Sequence, residues 1–485
     1  MTRSSGGWNR HVGISAGAAV AVSVAALSMA TPALAQDDSG QADSFNWPKY
    51  SGLRFNEDYS GLVGMSEVPA RDWADNLKYI PINDEGDVWL SFGGQVRFRA
   101  EGFGNFNFGT PTNDDDSFYF LHRYFLWGSL NVGENFRVFA QGKAASAEDR
   151  DLPGGRRGLE ADSIDLLDGF AEFTLPTDSG INIMLRGGRM ELLYGKQRLV
   201  SPLDWSNTRR SWDGGLVRVS GDNWTVDGFW TWFAPVQKYS FNDTDDHHEF
   251  FGVYATLENL CDAGVQMDAY WLGQDLDASD TDRYTVGTRF WGACGDSGIN
   301  YEVEAGYQYG DMGTTDISAW FFASELSYTF ADTAWTPWVA AGFDYASGDD
   351  NPGDGNSHTF NHLYPLGHAY LGFIDHVGRQ NIMDLRLSAK VKPMDKLWIK
   401  ADLHNFWLAE NEDSLYNAGG AAIRGGSATA DSYVGTEIDL TAGYTFDHHL
   451  NLVGGYSHLF TGSFVSDTGS DDDVDFWFTQ LQYTF

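Results

Sequence analysis

The chain has 485 residues, and its 31 Lys and Arg residues against 68 Asp and Glu residues give a formal net charge of −37. This charge argues against a nucleic-acid-binding protein, which needs a basic face to neutralise phosphates. Two cysteines are too few for a disulfide scaffold or an iron–sulfur site. The 56 glycines and 15% aromatic residues are instead typical of a large all-β protein with tight turns.

Residues 1–35 have the features of a secretory signal peptide. Arg3 and Arg10 supply a positive start, an apolar stretch follows, and Ala33-Leu34-Ala35 is a small-x-small cleavage site. An uncleaved membrane anchor is the alternative, but Pro32 and the cleavage motif favour removal. We therefore predict that the protein leaves the cytoplasm.

The remaining chain alternates apolar and polar residues. In residues 88–101 the apolar side chains fall at even positions, whereas odd positions include Arg97 and Arg99. The same period of two recurs in residues 397–404 and 434–445, and it places each set on one side of a sheet. In a membrane-spanning β-barrel, the apolar set contacts lipid and the polar set faces the lumen.

The alternation predicts eighteen strands, with bounds uncertain by about 2–4 residues each. They lie near residues 88–103, 118–131, 135–147, 163–175, 181–191, 214–220, 223–233, 247–258, 264–273, 281–292, 299–310, 317–330, 335–347, 380–391, 396–408, 433–445, 449–461 and 473–485.

The connections between these strands alternate in length. Short turns such as 132–134 and 221–222 alternate with connections that include long ones, such as 192–213 and 348–379. Outer-membrane barrels have short periplasmic turns and long extracellular loops. We therefore predict an all-β fold, a transmembrane antiparallel β-barrel over residues 87–485. Residues 36–86 would form a periplasmic lead-in.

The last predicted strand ends in an aromatic residue, the terminal Phe485. An aromatic C-terminus closing an amphipathic strand resembles the signal by which outer-membrane barrels are assembled. We therefore predict that Phe485 is read by the barrel-assembly machinery.

The predicted inward side chains are densely charged, and the two signs are unevenly distributed. Basic residues dominate the first five strands, and acids dominate strands eleven to thirteen and sixteen. An electric field across the pore would follow. Pairing of these charges across strands, which would only brace the wall, is the alternative for any one residue.

The segment Gly187–Gly215 combines five basic residues with two tryptophans. Guanidinium groups bind carboxylates in bidentate fashion, so this segment would form a basic, aromatic constriction if it folded into the lumen. A solvated surface loop is the alternative. The candidate pore and substrate-binding residues are Arg97, Arg99, Arg123, Arg137, Lys143, Arg186, Arg189, Arg198, Arg209, Arg210, Arg386, Trp205 and Trp212.

Several segments, in order along the chain, resemble the alginate-export family of outer-membrane proteins. They are WADNLKYIPI (Trp73–Ile82), LSFGGQVRFRAE (Leu90–Glu101), LHRYFL (Leu121–Leu126), FRVFAQ (Phe136–Gln141), Gly187–Gly215, FFGVYAT (Phe250–Thr256) and FNHLYPLGHAYLGFIDHVGRQNI (Phe360–Ile382). The resemblance implies a monomeric eighteen-stranded barrel whose basic lumen passes polyuronate. It marks Arg97, Arg99, Arg123, Arg137, Arg186, Arg189, Arg209 and Arg210 as candidate pore arginines.

Other motifs carry weaker expectations. Cys261 and Cys294 fall in neighbouring predicted periplasmic turns, where a disulfide or two free thiols would both be compatible with the spacing. The motifs Asp246-His247-His248 and Asp447-His448-His449 fall at opposite ends of the predicted barrel and cannot form one site. We predict no metal site, no cofactor and no catalytic residue, since enzyme motifs are missing from the sequence.

These observations predict an outer-membrane channel for anionic solutes, namely acidic polysaccharide or its oligosaccharides, in contact with lipid and lipopolysaccharide. A general or substrate-specific porin for uptake of small solutes is the main alternative. A barrel enzyme and a structural or adhesion barrel are further alternatives.

Overall fold

A computed structural model describes residues 45–65, 67–109, 116–177, 179–260 and 264–485. The predicted signal peptide lies outside the described residues, as do Cys261 and the first residues of the predicted lead-in.

Eighteen strands form the barrel. One sheet has twenty strands, of which two contain only two residues (Ile80–Pro81 and Asn356–Ser357), so eighteen remain. We number them β1 (Val88–Gly104), β2 (Ser117–Val132), β3 (Phe136–Glu148), β4 (Asp162–Pro176), β5 (Asn182–Met190), β6 (Ser211–Gly221), β7 (Trp224–Ala234), β8 (His248–Leu260), β9 (Val265–Leu276), β10 (Thr281–Ala293), β11 (Ile299–Met312), β12 (Thr315–Thr329), β13 (Trp338–Ala346), β14 (Ile382–Met394), β15 (Leu397–Leu408), β16 (Tyr433–Thr445), β17 (Leu450–Thr461) and β18 (Val474–Thr484).

The sheet is closed, because the first barrel strand pairs with the last. β1 and β18 are antiparallel from Gln95 opposite Thr484 to Gly104 opposite Asp475. Beyond this register, the backbone N–H of Gly94 donates to the carbonyl of Phe485 at 2.8 Å. Every other barrel strand pairs antiparallel with its neighbours in sequence. The predicted fold and strand number are confirmed.

The two faces of the wall differ as the alternation predicts. On β1, Phe98 is exposed whereas Arg97 and Arg99 are buried inside. On β14, Leu385 and Leu387 are exposed whereas Arg386 is buried between them in sequence. Apolar side chains therefore form the outer surface, and the charged side chains face the lumen.

Little helix accompanies the barrel. Two short α-helical segments lie at Phe106–Gly109, after β1, and at Ser463–Thr468, after β17. The 3-10 helices span Arg54–Asn56, Ser60–Leu62, Asp75–Leu77, Asp277–Ser279 and Gly367–Ala369. Two short strands, Leu415–Tyr416 and Ala422–Arg424, pair in the β15–β16 connection. No helix in the described part of the chain is long and apolar enough to cross a membrane.

The described residues that precede β1 (residues 45–65 and 67–87, here the N-terminal segment) pack against the inner wall at the end of the barrel that carries the short turns. Ile80 and Pro81 pair with Leu90 and Trp89 of β1. Deeper in the barrel, the buried ring of Phe55 lies edge-on to the ring of Phe170, 5.2 Å between centroids. The N-terminal segment therefore occupies part of the lumen.

Candidate functional site

Two long connections also fold into the lumen. We call residues 191–210, between β5 and β6, the first lumen segment, and residues 358–381, between β13 and β14, the second lumen segment. They are joined by the backbone, because the N–H of Tyr364 donates to the carbonyl of Leu199 at 2.9 Å and the N–H of Leu366 to that of Gln197 at 2.9 Å. Together they form the interior of the channel.

The first lumen segment crosses the barrel from one wall to the opposite one. At one end, Arg97 of β1 donates to the carbonyl oxygen of Asp204 at 2.8 Å and to that of Ser206 at 2.6 Å. At the other end, the guanidinium of Arg198 pairs with Glu302 and Glu304 of β11, at 2.7 Å from the latter. This segment is therefore not the solvated surface loop that the sequence left open as an alternative.

Guanidinium groups surround one carboxylate where the first lumen segment meets the basic wall. Nη2 of Arg123 lies 3.0 Å and Nη1 of Arg209 lies 3.3 Å from Oδ1 of Asp204. Arg97 and Arg123 are fully buried, but half of the Asp204 side chain is exposed (50%). We call Arg97, Arg123, Arg209 and Asp204 the arginine cluster.

The guanidinium groups of the arginine cluster favour the charged form of its carboxylate. Burial opposes ionisation of Asp204, yet the guanidinium groups of Arg123, Arg209 and Arg97 outweigh it and hold the pKa of Asp204 below its ordinary value. Asp204 therefore remains a carboxylate at neutral pH. It shares Arg209 with Glu191, because Nε of Arg209 lies 2.6 Å from Oε1 of Glu191.

A cavity of about 240 Å³ lies beside this cluster. Its lining includes Arg99, Arg157, Trp205 and His368, and the Arg157 side chain is 46% exposed. The ring of Trp205 is stacked on His368 at 3.8 Å, and the guanidinium of Arg99 lies 4.0 Å from the same ring. In this arrangement Trp205 packs on protein groups, so its stacking on a solute stays a prediction.

The other predicted tryptophan also packs on the protein. Trp212, at the start of β6, is completely buried, and its ring lies edge-on to Tyr364 of the second lumen segment at 5.3 Å. It packs the second lumen segment against the wall.

On the periplasmic side of the lumen, two predicted arginines share one acid. Arg137 of β3 and Arg186 of β5 lie 2.9 and 2.7 Å from carboxylate oxygens of Glu172 of β4. Arg137 also donates to the carbonyl of Phe55 at 2.7 Å, and Arg186 lies 4.5 Å from the Phe55 ring. These arginines therefore hold the N-terminal segment.

The remaining predicted basic residues also have partners in the chain. Their contacts are Lys143 with Asp162 at 3.0 Å, Arg189 with Asp213 at 2.7 Å, Arg210 with the carbonyl of Pro365 at 3.0 Å, Arg386 with Glu325 at 2.5 Å, and Arg99 with Glu101 at 2.6 Å. The structure thus places the predicted residues in or around the lumen. Most of them pair with other groups of the protein and are not free to contact a solute. Their roles toward a solute remain predictions.

The second lumen segment holds functional groups that the sequence analysis did not identify. Arg379 pairs with Asp344 of β13 at 2.7 Å, and the N–H of Ile374 donates to Glu437 of β16 at 3.0 Å. Gly372 has φ +87°, and a Cβ there would lie 2.4 Å from the Glu437 carboxylate, so glycine is required. The FNHLYPLGHAYLGFIDHVGRQNI motif is the signal that could have identified this segment.

A buried histidine anchors the second lumen segment to the β1–β2 connection. Nδ1 of His376 donates to the carbonyl of Ile374 at 3.1 Å, and Nε2 accepts the N–H of Asn107 at 3.2 Å. Burial lowers the pKa of His376 to about 4. Because Nε2 faces a donor, the neutral ring fits this site and the protonated ring does not.

The predicted cysteine pair is only half described. Cys294 is exposed in the turn after β10, whereas Cys261 lies outside the described residues. The disulfide therefore stays a prediction.

The fold is similar to solved outer-membrane porin barrels of Pseudomonas aeruginosa. OccK9 (OpdG) matches with a TM-score of 0.55 and 12% identity, over 81% of this chain and 98% of its own. OccK8 (OprE) matches with a TM-score of 0.54 and 14% identity, over 82% and 98%. OccD3 (OpdP) matches with a TM-score of 0.54 and 10% identity, over 81% and 91%.

Comparison of sequences identifies the family. No curated protein matches the chain in sequence. The family model described as alginate export matches residues 88–478, which is the barrel almost from its first to its last strand. The family and the fold are those of channels in the outer membrane of bacteria. The chain therefore belongs to the alginate-export family and is a bacterial outer-membrane β-barrel channel.

Proposed function

We propose that the channel passes anionic solutes, namely alginate-like acidic polysaccharide or its oligosaccharides, through its basic lumen. The proposal includes a monomeric barrel in a lipid and lipopolysaccharide environment, inserted by the barrel-assembly machinery through Phe485.

The observation that carries this proposal is the arginine cluster. It already binds a carboxylate, that of Asp204, and leaves half of that side chain exposed. A uronate unit carries the same functional group, and guanidinium groups bind carboxylates with charge-assisted hydrogen bonds. A solute carboxylate could therefore exchange with Asp204 on Arg123 and Arg209 without leaving these buried charges unpaired.

The acids of β11 do not contradict an anion pathway. Glu302 and Glu304 of β11 are neutralised by Arg198, and Glu302 also lies 3.2 Å from Arg289 of β10. Arg289 in turn pairs with Asp268 at 2.9 Å. Paired carboxylates repel a passing anion much less than free ones, because the neighbouring guanidinium groups cancel their field.

Exchange of carboxylates also fits the needs of transport. Each contact must be strong enough to admit the solute and weak enough to release it to the next contact. Asp204 competes with the solute for the same guanidinium groups, so it limits the affinity of the site. Binding stays reversible for this reason.

The test is block of the open channel by oligouronates. The purified protein in planar bilayers should show current block by a hexameric uronate and not by a neutral hexasaccharide of similar size. The variant Arg209→Gln should weaken the block about tenfold, as expected for one lost charge-assisted contact. Arg218→Gln is the matched control, because Arg218 lies outside the arginine cluster and pairs with Asp227 at 2.7 Å. Equal block by both sugars, or equal effects of both variants, would contradict the proposal.

A further inference from the structure

The second of the two Asp-His-His motifs is completed by a residue from the other end of the chain. His448 and His449 lie in the turn between β16 and β17, and Asp72 lies in the N-terminal segment. Oδ2 of Asp72 lies 2.9 Å from Nε2 of His448 and 2.8 Å from Nε2 of His449. We propose that Asp72, His448 and His449 bind one divalent transition-metal ion of the zinc type, which fastens the N-terminal segment to the barrel.

The donor set has the chemistry that zinc selects. Two imidazole nitrogens and one carboxylate oxygen form the protein half of a tetrahedral site, in which water supplies the fourth ligand. The three ligand atoms lie within 4.8 Å of one another. In a tetrahedral zinc site, ligand atoms about 2.0–2.1 Å from the metal lie roughly 3.3 Å apart. The distances from Asp72 to His448 and His449, 2.9 and 2.8 Å, would therefore have to widen by about half an ångström.

The hydrogen bonds around His449 orient it as a ligand. Nδ1 of His449 lies 2.6 Å from the carbonyl oxygen of Thr484, which can only accept, so Nδ1 carries the proton. Nε2 donates to Oδ2 of Asp72 at 2.8 Å in this geometry, and a metal ion would take the place of that proton between the two atoms. A backbone carbonyl that fixes the ring of a histidine in this way is the usual outer partner of a metal ligand.

The neighbouring residues hold the other two ligands in place. Oδ1 of Asp447 accepts the N–H groups of His449 at 2.8 Å and Leu450 at 2.9 Å, which fixes the turn that carries both histidines. Oδ1 of Asp72 accepts the N–H of Ala74 at 2.9 Å, so its other oxygen is directed at the histidines. These contacts would organise the ligands before a metal arrives.

The site is accessible from outside the barrel. The His448 side chain is 37% exposed and the Asp72 side chain 25% exposed, whereas His449 is buried. An ion could therefore enter from solvent, and the exposed His448 ring could move outward to admit it. The ring of Tyr50, also in the N-terminal segment, lies 5.7 Å from the His449 ring and covers the site from one side.

A metal at this position would join the two ends of the chain. Asp72 belongs to the N-terminal segment, the histidines to the β16–β17 turn, and Thr484 to the end of β18. The proposal does not depend on the nature of the solute, since it concerns only how the N-terminal segment is held.

The experiment measures Zn²⁺ binding to the protein in detergent micelles, prepared without a polyhistidine tag and stripped with a chelator. Isothermal titration should show one Zn²⁺ ion per chain. The variants His449→Ala and Asp72→Asn should bind at least about tenfold more weakly, as loss of one ligand predicts. His247→Ala is the matched control, because it removes a histidine from the other Asp-His-His motif and should leave binding unchanged.

A second readout keeps the test independent of folding. Heat-dependent mobility on denaturing gels reports whether each variant is a folded barrel. Zn²⁺ should slow tryptic cleavage after the exposed Lys49 in the wild type and not in His448→Gln. Absence of saturable Zn²⁺ binding, equal binding by the wild type and folded His449→Ala, or loss of binding in His247→Ala would each overturn the proposal.

Discussion

Arg123 and Asp204 form an ion pair between the basic wall and the first lumen segment, with Nη2 of the arginine 3.0 Å from Oδ1 of the aspartate. The arginine is fixed in the wall, and the aspartate is carried by the first lumen segment. The pair therefore serves two purposes, since it seats the segment and occupies the position that we assign to a solute carboxylate.

Replacement of the internal carboxylate should make the channel more selective for anions. Asp204→Asn removes the negative charge from the arginine cluster but keeps the size of the side chain. We expect the anion-to-cation permeability ratio to rise about twofold or more, because the guanidinium charges are no longer balanced. Reversal potentials in a salt gradient measure this ratio. Asp227→Asn, near the periplasmic end of β7, is the control, and a fall in the ratio for Asp204→Asn would contradict the account.

Loss of the wall arginine should release the first lumen segment. Arg123 donates to the carbonyls of Asp204 and Ser206 at 3.0 and 3.1 Å. Arg123→Gln would remove most of these contacts from a buried site. The state in which the first lumen segment is bound to the wall would then lose about 3–5 kcal/mol of stability. We expect larger and noisier single-channel currents than in the wild type. Unchanged conductance in a folded Arg123→Gln barrel would show that the segment is held elsewhere.

Loosening the N-terminal segment should expose it to proteases without unfolding the barrel. Phe55 is buried between Phe139 and Phe170, at 5.8 and 5.2 Å between ring centroids. Phe55→Ala should cost about 3–5 kcal/mol, as for other large aromatic truncations. We expect faster tryptic cleavage at Arg71 with unaltered heat-dependent gel mobility. If the barrel itself melts earlier by the same amount, the segment is part of the wall's stability rather than a separable element.

Acidification should weaken the attachment of the second lumen segment to the β1–β2 connection. The folded pKa of His376 is about 4 and its ordinary value is 6.5, so the folded state binds fewer protons between these values. The stability due to neutral His376 is present above pH 6.5 and is lost as pH falls toward 4, by up to roughly 3 kcal/mol. Single-channel currents should increase at pH 4.5 relative to pH 7 in the wild type and less in His376→Gln. An identical response in both proteins would exclude His376 as the cause.

The C-terminal residue should matter for assembly. The carbonyl of Phe485 accepts hydrogen bonds from Gly94 at 2.8 Å and from Arg54 at 3.1 Å, and its ring lies 5.5 Å from that of Trp73. Deletion of Phe485 should reduce the amount of folded protein in outer-membrane fractions severalfold. Unreduced levels would show that assembly does not read this residue.

The barrel could be predicted from the sequence because its wall repeats one physical rule. Successive side chains along a strand face lipid and lumen in turn. The alternation that includes Arg97, Phe98 and Arg99 therefore predicts the bounds of β1 to within one residue. Lumen segments follow no such period. The sequence predicts a basic lumen, but it does not show that residues 204–206 cover Arg97 and Arg123. Those contacts join residues about a hundred positions apart, which no local pattern reports.

For the same reason, the sequence does not show that Asp72 lies beside His448 and His449 at the periplasmic end. The sequence places the motif at His448 and His449 at one end of the barrel and the motif at His247 and His248 at the other. The ligand that completes the site, Asp72, is 376 positions from His448 and lies in a segment with no regular pattern. Sequence spacing reports neighbours within an element, whereas this site is formed only when the N-terminal segment packs against the closed barrel.

We propose above that the lumen is basic where solutes pass. The reversal potential of the purified channel in a planar bilayer, under a tenfold KCl gradient at neutral pH, tests this directly. A basic lumen predicts a potential of the sign that chloride selectivity gives, moved toward zero in Arg209→Gln. A potential of the sign that potassium selectivity gives in the wild type would contradict it.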